Sequence, residues 1–134
     1  LRLAEALALA GNGRAALAQI DLVRDATDAQ PRVREVRAFV LGACGRRREA
    51  RAALSALEAE RDRRYVSAWE IARGYAVMSD IDCAIDWLRR AVDERAPMVL
   101  FSGVHAALDP VRADLRFAGI LRSVGLPLRM ASRG

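Results

Sequence analysis

The chain contains no lysine, a single histidine, two cysteines and few aromatic residues, and each scarcity removes a class of chemistry. Neither GxxxxGK[ST] nor GxGxxG occurs, so no phosphate-cradling loop is indicated. The lone histidine, His105, cannot build a metal site by itself, and no Ser, Cys or carboxylate is placed as its fixed partner for general-base or nucleophilic work. Cys44 and Cys83 lack CxxC spacing and have no histidine nearby in sequence. They read as small buried hydrophobes in a reducing compartment, with neither a zinc site nor a disulfide framework suggested. Asp80-Ile81-Asp82 lacks the glycine and distal glutamate of a calcium loop and reads as a helix start, where acids are favourable. No run of about 18 apolar residues predicts a membrane-spanning helix, and no signal peptide is seen. The expectation is a cytoplasmic chain that is not an enzyme, with no catalytic, cofactor or metal residues.

What is abundant is alanine and arginine. At 134 residues the chain can bury one ordinary core, and nothing in its length requires a second domain. Alanine favours helices and lets them approach closely, while Gly and Pro fall at intervals, which predicts an all-α fold. The net charge is +5, with 22 basic residues, all of them arginine, against 17 acids. Because the two signs are interspersed, the arginines read as a solvated surface. One alternative is kept open: Arg46, Arg47, Arg48 and Arg51 crowd a turn and offer guanidinium groups to the phosphates of a nucleic acid, with binding that falls as salt rises.

Residues 65–97 read as two helices folded back on each other, and they repeat what precedes them. Ala72, Tyr75, Ala84, Leu88 and Ala91 map, 34 residues earlier, onto Ala38, Leu41, Ala50, Leu54 and Leu57. A second step reaches Ala4, Leu7, Ala16, Ile20 and Val23, and the turn position runs Gly11, Gly45, Ser79. Helices are expected over about 1–10, 14–24, 32–43, 47–60, 66–77 and 81–94, with Asp25–Gln30 as a polar linker and Pro31 at a helix entry. Ser79 or Asp80 can cap the sixth. After Pro97 the period fails. A short apolar helix over about Met98–His105, a turn at Asp109-Pro110 and an amphipathic helix over about Asp114–Val124, closed by Gly125 and Pro127, are expected there.

This pattern resembles a tetratricopeptide (TPR) array. The resemblance implies a right-handed α-solenoid of antiparallel helix pairs over 1–127, with a partial first repeat at 1–30, repeats at 31–64 and 65–97, and a helical cap at 98–127 before a frayed tail at 128–134. The run "GYA…D…AIDWLRRAVDER" followed by "ALDPVRADLRFAGILRSVGLP" is similar to the C-terminal TPR end of bacterial multidomain regulators, in which repeats follow a winged-helix, nucleotidyl cyclase or Ser/Thr kinase domain. Those proteins carry a second proline after the Asp-Pro turn, where this chain has Leu115.

What the resemblance implies about function is a scaffold that binds a protein or peptide segment on the concave face lined by the first helix of each pair. The residues expected there are Glu5, Arg32, Glu35, Phe39, Val66, Trp69 and Arg73, with Phe39 and Trp69 as aromatic anchors. TPR proteins that grip chaperone carboxylates use Asn and Lys in the groove, whereas this chain has Glu5, Phe39 and Arg73 at the matching places and no Lys. Trp87 is expected in the core. Because the chain begins part-way through a repeat, it reads as part of a longer protein, with Leu1, Leu3 and Leu7 on an open edge that favours self-association.

Overall fold

The computed structural model describes residues 1–27 and 30–126, with the backbone alone at 24–27. The expected frayed tail and residues 28 and 29 of the expected linker lie outside the described residues. Every regular element among the described residues is helical, and no strand is present among them. None of their helices is long and apolar enough to cross a membrane. The chain divides into two compact units, Leu1–Val66 and Ser67–Gly134.

In the first unit α1 (Arg2–Leu9) packs on α2 (Gly13–Thr27), α2 on α3 (Pro31–Ala43) and α3 on α4 (Arg47–Glu60), while α1 also touches α3. Small residues make these approaches possible: Ala4, Ala16, Ala38 and Ala50 are all at most 1% exposed. Ile20, Leu41, Leu54 and Phe39 fill the space between the backbones. The Asn12 side chain accepts from the Ala15 N–H at 3.3 Å and so caps α2. The expected linker begins later than the composition indicated, because α2 runs on to Thr27. No Gly or Pro interrupts Arg14–Thr27, and Gln30, before Pro31, is extended with ψ 125°.

The second unit holds α5 (Ala68–Val77), α6 (Ile81–Asp93), two 3-10 helices at Pro97–Phe101 and Ala106–Val111, and α7 (Leu115–Ser123). α5 and α6 form an antiparallel pair around Ala72, Ala84, Ile85 and Leu88. Helix α5 starts two residues after Val66, since Ser67 is extended (ψ 126°). Asp80 caps α6 by accepting from the Cys83 N–H, and Asp114 caps α7 by accepting from the Arg116 N–H at 2.9 Å. The segment after Pro97 departs from expectation in kind. It is 3-10 rather than α-helical, and Asp109-Pro110 lies inside the second 3-10 helix instead of forming a free turn. The two elements are only five and six residues long, and Pro110, which has no N–H, lies inside the second, so the tighter form is favoured. Trp87, expected in the core, is half-buried with the Arg90 guanidinium 4.5 Å from its ring centroid.

Five helix ends share one geometry. At Gly11, Gly45, Ser79, Arg95 and Gly125 the backbone takes positive φ, between 55° and 83°. In each, the N–H of the following residue bonds the carbonyl five residues back: Asn12 to Leu7, Arg46 to Leu41, Asp80 to Tyr75, Ala96 to Ala91 and Leu126 to Leu121, all at 2.8–3.0 Å. These are Schellman stops, which satisfy the orphan carbonyls of the last turn.

Candidate functional site

The seven residues expected to line a groove fall in both units and are described unit by unit. In the first, Arg32 at the start of α3 reaches back to α1, its Nη2 lying 3.2 Å from Glu5 Oε1, and its Nη1 lies 3.6 Å from Glu35 Oε2. The Arg32 side chain is 43% exposed and the two glutamates lie at 13% and 10%, so the guanidinium is the accessible member of a charged triplet. Phe39 is 1% exposed and Val66 2%. In the second unit Trp69 is 1% and Arg73 4% exposed, with Arg73 Nη2 paired to Glu70 Oε2 at 2.6 Å one turn away. As folded, both expected anchors are packing side chains. Their rings are worth more against the chain's own apolar surface than in water, and neither stands open to a partner. Trp69 lies edge-on to His105 at 5.7 Å, and its buried indole N–H has no hydrogen-bond acceptor among the described residues.

The arginine turn at the start of α4 is partly self-neutralised. Arg46 forks onto Glu49, with Nε to Oε1 at 2.8 Å and Nη2 to Oε2 at 2.9 Å. At the other end of α4, Glu60 receives both guanidinium arms of Arg34 from α3, one of them at 2.8 Å. Those hydrogen bonds, with the charges of Arg34, Arg64 and Arg63, hold the Glu60 carboxyl below the usual glutamate range despite some desolvation. Cys44 is a free thiol; partial burial raises its pKa against the pull of Arg46, which leaves it a poor nucleophile.

The second unit contains an arrangement that the sequence did not reveal. Arg112, 7% exposed, donates from Nη1 to the Gly103 carbonyl and from Nη2 to the His105 carbonyl, both at 2.9 Å, and from Nε to Asp109 at 2.6 Å. Its guanidinium also lies 5.8 Å from the Phe117 ring centroid. His105 accepts from the Ala107 N–H through Nδ1, so the histidine caps the second 3-10 helix. The loop 103–105 is therefore pinned from beneath by a buried cation. Above it Met98, Leu100, Phe101 and Val104 are exposed at 40%, 62%, 54% and 61%. The Arg112 side chain reaches back seven and nine residues to backbone carbonyls, which carry no side-chain pattern, so its role was not legible in "DPVRADL".

A cavity of about 420 Å³ opens between α6 and α7, floored by Val92, Gly119 and Ile120 and flanked by Arg89, Asp93 and Arg116. Its cation Arg116 is already held by Asp114 and, at 2.7 Å, by Asp82. That contact, with the backbone cap, pulls the Asp114 pKa down to about 2. Among the described residues no group of three or more His, Cys, Asp or Glu side chains is placed to hold a metal ion. Compared with family models, with curated proteins and with solved structures, the chain matches none of them.

Proposed function

We propose that the chain is a non-enzymatic protein–protein interaction scaffold built as a TPR-like right-handed solenoid with a helical cap, serving as the regulatory or partner-binding part of a larger cytoplasmic bacterial signalling or transcription-regulatory protein. The observation that carries this reading is the recurrence of one helix stop at 34-residue steps: Gly11, Gly45 and Ser79 share φ, hydrogen bonds and flanking buried alanines. Such recurrence is what a stack of identical hairpins requires, and stacked hairpins act by presenting a surface. The partner surface assigned here is the Glu5–Arg32–Glu35 triplet on α1 and α3, where the 43%-exposed Arg32 side chain presents its positive charge to an acidic or carbonyl-rich segment. Leu1 and Leu3, at 39% and 55% exposure, add an apolar edge beside it at the start of α1.

The test is a pull-down from bacterial lysate with the wild-type chain beside Arg32→Gln, after matching helicity and melting. A protein retained by the wild type and lost with Arg32→Gln supports the scaffold and its surface. Equal retention by both moves the contact elsewhere on the chain. Retention of nucleic acid alone, released by salt, would replace this reading with phosphate binding at Arg46–Arg48.

A further inference from the structure

From Pro97 to Phe101 the chain is a 3-10 helix, and i to i+3 hydrogen bonds carry on into the turn at 102–104. The N–H groups of Val99, Ser102 and Val104 bond the carbonyls of Ala96, Val99 and Phe101 at 3.0–3.1 Å, the i to i+3 pattern of 3-10 geometry. Side chains three apart then eclipse one another and sort into lines. Val99 and Ser102, at 3% and 0% exposure, form the inward line. Met98, Phe101 and Val104 form an outward ridge, at 40%, 54% and 61%, with Leu100 beside it at 62%. The inward face and the Arg112 clasp on Gly103 and His105 hold this ridge in place, so presenting it to a partner costs little ordering of the loop.

We infer that this ridge is the contact through which two copies of the chain pair, antiparallel across a two-fold axis, with Phe101 facing Phe101 and Met98 facing Val104. Three features select a second copy as the occupant. The first is charge. Residues 96–108 contain no Arg, Asp or Glu, whereas charged residues make up 29% of the chain and its net charge is +5. Two copies repel each other over much of their surface, and this neutral strip is where they meet without like charges opposed. The second is symmetry. A ridge of three side chains, spaced about 6 Å apart in 3-10 geometry, is complementary to itself when reversed about its middle member, as an isologous contact demands. The third is area. Four side chains exposed to this degree offer about 400 Å² per copy, too little for a permanent partner and, with a rim of neighbours, of the size of a weak, transient contact. The dimer is accordingly weak and reversible, with dissociation on the order of 10 µM to 1 mM. This contact is separate from the N-terminal edge at Leu1 and Leu3 and does not depend on the solenoid reading.

Sedimentation equilibrium of the whole chain tests it. The wild type should gain mass with concentration toward a dimer; Phe101→Asp should stay monomeric with unchanged helicity and melting, and Leu3→Asp should still dimerise. A wild-type mass independent of concentration, or association that survives Phe101→Asp, overturns the inference. Register is tested in a Cys44→Ala/Cys83→Ala background under mild oxidation. Phe101→Cys should cross-link to itself, and Met98→Cys should link to Val104→Cys in a mixture but not to itself. Efficient self-linking at position 98 overturns the antiparallel pairing. Phe101-dependent binding of a monomer to neutral phosphatidylcholine vesicles would also overturn it, in favour of a lipid surface.

Discussion

A methyl group placed on Gly13 would stand 2.6 Å from the sulfur of Cys44 and 3.2 Å from its Cβ. The first residue of α2 and the residue that ends α3 are thus in contact through the absence of a side chain. A thiol can rotate away, but its Cβ cannot, so Gly13→Ala forces the start of α2 off α3. We expect a loss of about 1–3 kcal/mol by urea denaturation. Cys44→Ala in the same chain removes the nearer clash and should restore about half or more of that loss. Additive losses would show that the two residues do not oppose each other.

The ion pair between Arg34 and Glu60 joins α3 to the last residue of α4, and its pH dependence follows from the depressed Glu60 pKa. A carboxyl whose folded pKa lies below its unfolded value, about 4.3, contributes stability that is complete above that value and is lost as pH falls through the folded pKa. Wild type should therefore exceed Glu60→Gln by ~1 kcal/mol at pH 7, and the gap should close as the pH is lowered below about 4. The comparison needs only urea midpoints at several pH values, and a gap that persists at pH 2 would refute the assignment.

How much of this was legible beforehand depended on whether the signal was local. Helix α4 is found where i, i+3, i+4, i+7 spacing put it, because Ala50, Ala53, Leu54 and Leu57 on one side and charged residues on the other leave a single stable orientation. The stops at Gly11, Gly45 and Gly125 were legible too, since only glycine takes positive φ without penalty. The reach of α2 to Thr27 was not, because polar residues tolerate a helix as readily as a loop. The expected anchors show the same limit. An aromatic residue on a helix face is legible as apolar, yet whether Phe39 and Trp69 face a groove or the core is fixed by packing that no single helix encodes. Of the residues expected in a groove, Glu5, Arg32 and Glu35 lie together on α1 and α3 as a charged triplet that the sequence had not joined, while the ridge at Met98–Val104 escaped because an α-helical reading scatters side chains that a 3-10 turn aligns.

Arg112 should be the most costly polar side chain to remove in the second unit. It is 7% exposed, and its loss strands the Gly103 carbonyl and takes a donor from the His105 carbonyl and from Asp109. Arg112→Ala is expected to lose about 3 kcal/mol or more, since breaking a buried charged network leaves uncompensated polar groups. Arg112→Lys should recover little of this, because one ammonium cannot reproduce the three-way fork. Recovery of full stability by lysine would show that charge alone matters at this position.

Ala84 is fully buried between α5 and α6, where the helix pair has room for a methyl group and no more. Ala84→Leu adds three carbons and should lower stability by about 1–3 kcal/mol with a visibly lower melting temperature. Ala53→Leu, half-buried on α4, serves as the control and should change melting little. An unchanged melting curve for Ala84→Leu would mean that the contact register around this alanine is wrong.

Ser79 occupies the stop position that glycine holds at Gly11 and Gly45, with φ 62° and the same pair of hydrogen bonds. A side chain in the left-handed region brings Cβ against the following carbonyl, at a cost of about 1–2 kcal/mol relative to the right-handed well. Glycine does not bear that cost, although its unfolded chain is freer, which returns part of the gain. Ser79→Gly should therefore stabilise the second unit by roughly 0.5–1 kcal/mol, and Ser79→Val should destabilise it by more, because a β-branched side chain fits this conformation worst. Urea midpoints of the two variants beside wild type decide the matter: if glycine is neutral or harmful while valine is tolerated, the turn does not depend on its left-handed residue.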